Sequence, residues 1–208
     1  MFDSYSVQTI IIVIGSIFVS TAFHELMHGY IALRLGDDLA HSQGRISLNP
    51  MRHIDPFLTI ALPLIFMLLQ MSPILAAKPV PVNINRLRSR EWGMALVAIS
   101  GPLTNLALAA VMGALLRVVG VSGVLSEIFV TFFYINIGLF VFNMIPLPPL
   151  DGSRVLYAVA PEPVQKIMEQ IESMGLIAVI IFISILGPTI SPVISNISQS
   201  IARLLLGS

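Results

Sequence analysis

The sequence predicts an all-α polytopic membrane protein: about five to six membrane-embedded helices, a short β hairpin or strand after the first helix, and one re-entrant segment. Three observations carry that expectation. The 208 residues are 56% hydrophobic and 11% charged, whereas soluble domains carry about 25% charged residues. Several apolar stretches reach the roughly 20 residues that cross about 30 Å of hydrocarbon. The basic residues gather in the segments between those stretches, as they do in cytoplasmic loops.

The first apolar stretch covers about residues 7–33. Asp3 is the only charged side chain before it, so it lacks the basic start of a secretory signal. The polar segment 36–55 follows, containing Gly44-Arg45-Ile46-Ser47-Leu48-Asn49-Pro50. Its alternation and Gly/Pro punctuation suggest a short strand or hairpin. The second stretch, about 57–77, carries Pro63 and Pro73. Those prolines free backbone groups that lipid cannot satisfy, which favours a re-entrant course.

Segment 78–90 is proline-rich, then basic at Arg86, Arg88 and Arg90. This cluster suits a cytoplasmic anchor facing anionic headgroups. The third and fourth stretches, about 92–119 and 124–146, are long enough to span. Segment 151–172 reads as a turn and a short amphipathic helix. The last stretch, about 174–206, is broken near Gly187-Pro188 and reads as a helix pair or kinked helix. A re-entrant second stretch puts every basic cluster on the cytoplasmic face and the N-terminus outside. The whole is expected to form one integral domain over 1–208, with a core over about 7–160 and C-terminal helices over about 171–206.

Composition narrows the function. The formal net charge is zero, so nothing pulls the chain toward nucleic acid. With no cysteine there is neither a disulfide scaffold nor a thiolate zinc site.

His24-Glu25-Leu26-Met27-His28 lies inside the first apolar stretch. On a helix, residues four apart share a face, so both imidazoles reach one ion. The Glu beside the first His can act as general base on a water there. Ionisable groups in a membrane helix mark function by default; the bland reading is a polar cluster that packs helices.

A catalytic zinc needs a third protein ligand. Asp151, in Pro148-Pro149-Leu150-Asp151-Gly152, is the candidate. It would help neutralise Zn2+ together with Glu25. The alternative is a turn whose Asp caps the next helix. His53 precedes the second stretch with Asp55. It is either a removable fourth ligand, a substrate-binding group, or a loop histidine ordered by Asp55. His41 reads as a solvated loop residue. Asn105 has a choice between substrate binding and helix packing; Gly101 permits close helix contact.

The motif around His24 and His28, with Asn143-x-x-Pro146 and Leu150-Asp151-Gly152, resembles the site-2 protease family of intramembrane zinc metalloproteases. Gly101-Pro102-Leu103-Thr104-Asn105 resembles that family's middle core helix. Asn49-Pro50-Met51-Arg52-His53-Ile54-Asp55-Pro56 and Ala77-Lys78-Pro79-Val80-Pro81-Val82-Asn83 resemble its compact prokaryotic branch, which lacks PDZ and CBS modules. The likeness spans roughly residues 24–155.

It implies one zinc per chain held by His24, His28 and Asp151, with Glu25 activating water. It also implies cleavage of a substrate protein's transmembrane helix, in a prokaryotic cell membrane, with the site toward the cytoplasm. It sets Asn143 near the metal, where its amide could donate to the substrate carbonyl or its oxyanion; the alternative is hydrogen bonding between helices. Two rivals use the same His/Asp site: a catalytically silent membrane protein and a metal transporter. Intact Glu25 counts against the first, and the lack of repeated halves against the second.

Overall fold

The computed structural model describes residues 6–53, 78–120, 122–175, 178 and 181–207. The 57–77 stretch, expected to be re-entrant, and Asp55 lie outside the described residues, as does the side chain of His53.

Helix α1 spans Val7–Arg34, and the Ser6 side chain caps it by accepting from the Thr9 N–H. Its apolar run leaves the backbone no partner but itself, and in lipid that selects a helix. A helical turn, α2 (Leu39–Ser42), and a 3-10 turn, Pro50–His53, follow. A second 3-10 turn, Ile84–Arg86, leads into α3 (Arg90–Val118). Helix α4 (Gly123–Asn143) returns across the membrane. Two short helices, α5 (Asp151–Val159) and α6 (Glu162–Ser173), lie beyond it. A π-helical segment, Phe182–Leu186, runs into α7 (Gly187–Leu206). The break expected at Gly187-Pro188 is this change of helix type: Pro188 has no N–H to continue the ladder.

Among the described residues, α1, α3 and α4 are long and apolar enough to cross a membrane. The chain is an integral membrane protein, and its all-α class stands. The expected count of five to six is not met there. Helix α7 is diluted by Ser191, Ser195, Asn196, Ser198, Gln199 and Ser200.

The expected β hairpin is overturned, because no strand occurs among the described residues. Gly44 has a φ of +63°, the left-handed conformation that closes α2. The Arg45 N–H then turns back to the Ala40 carbonyl. Ser47 and Asn49 side chains accept from the N–H groups of Asn49 and Met51. Local turns and side chains thus take the backbone groups that a ladder would need.

Helix α3 runs antiparallel to α1. Arg88, just before α3, donates its N–H to Leu35 at the end of α1, His28 meets Val97, and Ser20 meets Asn105. Helix α4 runs parallel to α1: Glu127 meets Gln8 and Thr9, and Asn136 meets Ser20. One apolar cluster joins Ala109, Phe133, Ile137, Val141 and Ala202, tying α7 to α3 and α4. A second joins Ala32, Leu87 and Val97 at the other end.

Helices α5 and α6 are pinned by polar contacts. Arg154 pairs with Glu172. The Tyr157 hydroxyl donates to Glu169 at 2.6 Å, and that carboxylate holds the phenol's pKa above its ordinary value. These contacts tie α6 to α5, and α5 packs along α3 with its first residue, Asp151, facing α1.

Gly113 lets Phe133 into the cluster: an added Cβ would stand 3.0 Å from Phe133 Cε2. Gly113→Val should lower the melting temperature in detergent, by an overpacking penalty of about 1–3 kcal/mol. Thermal unfolding followed by light scattering or intrinsic fluorescence reads it.

Candidate metal centre

His24 and His28 sit one turn apart on α1, about 15 and 9 Å along the axis from Arg34 at 1.5 Å per residue. Both are buried. Their Nδ1 atoms face fixed acceptors: Asn105 Oδ1 lies 2.6 Å from His24 Nδ1, and the Val97 carbonyl 2.8 Å from His28 Nδ1. A carbonyl oxygen can only accept, so each Nδ1 carries the proton in a neutral ring. Each Nε2 therefore presents a lone pair.

Those lone pairs point at one place. The two Nε2 atoms are 2.9 Å apart. Asp151 Oδ2 lies 3.0 Å from His24 Nε2 and 3.4 Å from His28 Nε2. Three lone pairs aimed together repel unless a cation shares them. Donors bound tetrahedrally at about 2.0–2.1 Å stand about 3.3 Å apart. Two neutral imidazoles and one carboxylate at this spacing fit zinc, and they are the described residues that could hold a metal ion.

Two glycines make the approach possible. A Cβ on Gly101 would stand 2.5 Å from His28 Nε2 and 2.6 Å from His24 Nε2. Gly101 thus clears space for the imidazoles, not only for helix contact. A Cβ on Gly152 would collide with the Met144 and Ile145 carbonyls. The start of α5 can pack under the end of α4 only without that atom, and this sets Asp151 in place.

Behind His24 lies a closed amide network. Asn105 Nδ2 donates to Asn136 Oδ1 at 2.9 Å and to the Ser20 carbonyl at 3.3 Å. Asn136 Nδ2 donates to Ser20 Oγ and to the Phe132 carbonyl, both at 2.8 Å. Asn105, Asn136 and Ser20 are fully buried. Asn136 went unnoticed in the sequence, although a side-chain amide in an apolar helix was the available signal.

Glu25 Oε2 accepts the Val80 N–H at 2.8 Å. Asn143 donates to the carbonyl of Leu139 on its own helix, 3.0 Å away, and hydrogen-bonds none of His24, His28 and Asp151. His41 is exposed on α2. The side chain of Asp151 is 21% exposed, against 8% and 10% for His24 and His28. Asp151 is therefore the most exposed of the three.

Residues 117–187 match the model of peptidase family M50. Three relatives carry names that begin "Putative zinc metalloprotease". YwhC of Bacillus subtilis is 36% identical over 200 residues, 91% of this chain and 88% of the relative. Rip2 of Mycobacterium tuberculosis is 27% identical over 183 residues, 87% of this chain and 69% of the relative. MJ0611 of Methanocaldococcus jannaschii is 35% identical over 146 residues, 70% of this chain and 68% of the relative. No solved structure matches the chain.

Loss of the second layer should weaken the metal. Asn105→Ala frees the His24 tautomer and should lower zinc affinity about 10–100-fold. Gly101→Ala should do so by pushing the imidazoles apart. Competition with a fluorescent zinc chelator in detergent measures both.

Proposed function

The chain belongs to peptidase family M50, and from that premise we propose that it hydrolyses a peptide bond within or next to a transmembrane helix of a substrate protein. The observation that carries the reading is the convergence of His24, His28 and Asp151, whose ligand atoms all lie within 4.8 Å of one another beside Glu25. In this reading the three residues hold one zinc ion. When bound, zinc polarises the scissile carbonyl and brings the pKa of water at its open position toward about 7.

The chain's own residues do the rest. Asn105 and the Val97 carbonyl fix both imidazoles with Nε2 inward. Glu25 accepts a proton from the attacking water through Oε1, its other oxygen being anchored on Val80, and passes it to the leaving amine. Asp151 keeps the site open to water on its exposed side while α1, α3 and α4 close the others. A substrate helix buries its peptide bonds in its own hydrogen bonds, so it must unwind locally before the carbonyl can enter. Asn143, the last residue of α4 and eight before Asp151, is the candidate donor to that carbonyl.

Orientation follows from the basic residues. Arg34, Arg45, Arg52, Lys78, Arg86, Arg88, Arg90, Arg154 and Lys166 lie at the α1 C-terminal end, nine of the eleven Lys and Arg. Arg117 and Arg203 lie at the other end, where an added Cβ on Gly207 would meet the Arg117 guanidinium. The first end is then cytoplasmic by the positive-inside rule, and the site opens nearer to it.

Glu25→Gln separates proteolysis from metal storage or transport. It should keep one zinc per chain and abolish cleavage. Comparing membrane proteomes from cells with the wild type and with this variant reads it; identical sets of truncated single-span proteins would sink the proposal. Orientation is checked with a cysteine at Arg88 or at Arg117, since the native chain has none. In sealed vesicles a membrane-impermeant thiol reagent should label one position from each side.

A further inference from the structure

We propose that Arg45 is a positioning residue for the proposed reaction, holding Glu25 in its working orientation through the backbone of the 78–82 strap. The inference rests on the proposed role of Glu25 as proton acceptor.

The strap reads Lys78-Pro79-Val80-Pro81-Val82. Pro79 and Pro81 have no N–H, so between Lys78 and Val82 the backbone offers one donor, that of Val80. Each proline also biases the residue before it toward extended backbone. The strap is therefore stiff and its interior presents a single N–H, and that N–H goes to Glu25 Oε2 at 2.8 Å. A carboxylate anchored by one oxygen keeps the other for a proton.

Something must hold the strap at that distance. Arg45 is buried, and among the described residues no carboxylate pairs with it. A buried cation of this kind is unfavourable unless its hydrogen bonds are met. Its planar fork goes to backbone carbonyls instead. Nη2 donates to the Lys78 carbonyl at 2.7 Å and to the Pro79 carbonyl at 3.3 Å. Nη1 donates to the Arg52 carbonyl.

The two strap carbonyls belong to the residues immediately before Val80. Fixing them fixes the peptide plane that carries the Val80 N–H. Among the described residues Arg45 Nε has no partner, so this side chain is not arranged for the best local satisfaction. Its arrangement is one that clamps the strap beside Glu25 to the Arg52 carbonyl.

The test uses full-length protein in detergent, with a fluorescently tagged single-span reporter helix carrying central glycines as substrate. Arg45→Ala and Val80→Pro are compared with the wild type. The first removes the clamp; the second removes the N–H while keeping an extended backbone. Each should lower kcat about 10–100-fold, the range for second-layer partners, with KM and zinc content unchanged; Arg45→Ala should also lower the melting temperature, because backbone carbonyls lose their donor. The double variant should be no slower than the slower single, because both changes act by one route.

Wild-type kcat in either folded, zinc-loaded variant overturns the inference. So does a rise in KM alone, which would make the strap a substrate-binding element. Multiplying losses in the double variant overturn it as well. Glu25→Gln is run alongside: full activity there would remove the proposed base itself, a separate failure from that of the clamp.

Discussion

Hydrocarbon offers no partner to a polar group, and the structure is organised around that constraint. Helix α1 carries Ser20, His24 and His28 at four-residue spacing, which puts them in one column on one face. Helix α3 answers with Asn105, Gly101 and the Val97 carbonyl, also four apart and running the opposite way. The column is thus matched level by level: amide against serine, absent side chain against two imidazoles, carbonyl against imidazole. Helix α4 completes the deepest level with Asn136. The buried histidines keep a defined tautomer because every other polar atom nearby is already committed.

The same constraint shapes the end of the bundle where the basic residues collect. Asp37 is fully buried, and it accepts the Leu39 N–H and, at 2.6 Å, the Asn83 N–H. Glu25 accepts from Val80, and Arg45 donates to Lys78 and Pro79. Three charged side chains from α1 and the segment after it therefore hold the proline-rich strap and Asn83 at its end. Its prolines bar it from a β ladder, so side chains do the work that strand pairing would do elsewhere. Arg45 counted in the sequence as one of several loop cations, yet its guanidinium is turned inward, unlike those of Arg86, Arg88 and Arg90.

The parts that were legible share a local cause. Long apolar runs reveal membrane helices because hydropathy needs only composition. The two-histidine motif is legible because helical periodicity alone brings both rings to one face. Asp151 stood out by chain order and charge, and it is found 3.0 Å from His24 Nε2. Alternation around Ile46 misled, because period two signals a strand only where a partner strand exists; here Gly44 turns the chain and Arg45 is drawn elsewhere. Asn105 was left between substrate binding and packing, and the structure gives its amide to His24, Asn136 and Ser20. Asn136 had no neighbour in sequence to mark it.

By itself, the sequence determined that the chain lives in a membrane, that its long segments are helices, and which residues could bind a metal. Those properties follow from transfer free energy and from the 3.6-residue period, and both act within a single segment. The tertiary structure alone decided which nitrogen of each histidine faces Asp151, that Gly101 makes room for the two rings, and that Asn136, Val80 and Arg45 belong to the surroundings of the cluster. Each of these depends on the register between segments 30 to 120 residues apart. No local pattern encodes such a register, because it is set by the simultaneous satisfaction of polar groups contributed from α1, α3, α4, α5 and the strap.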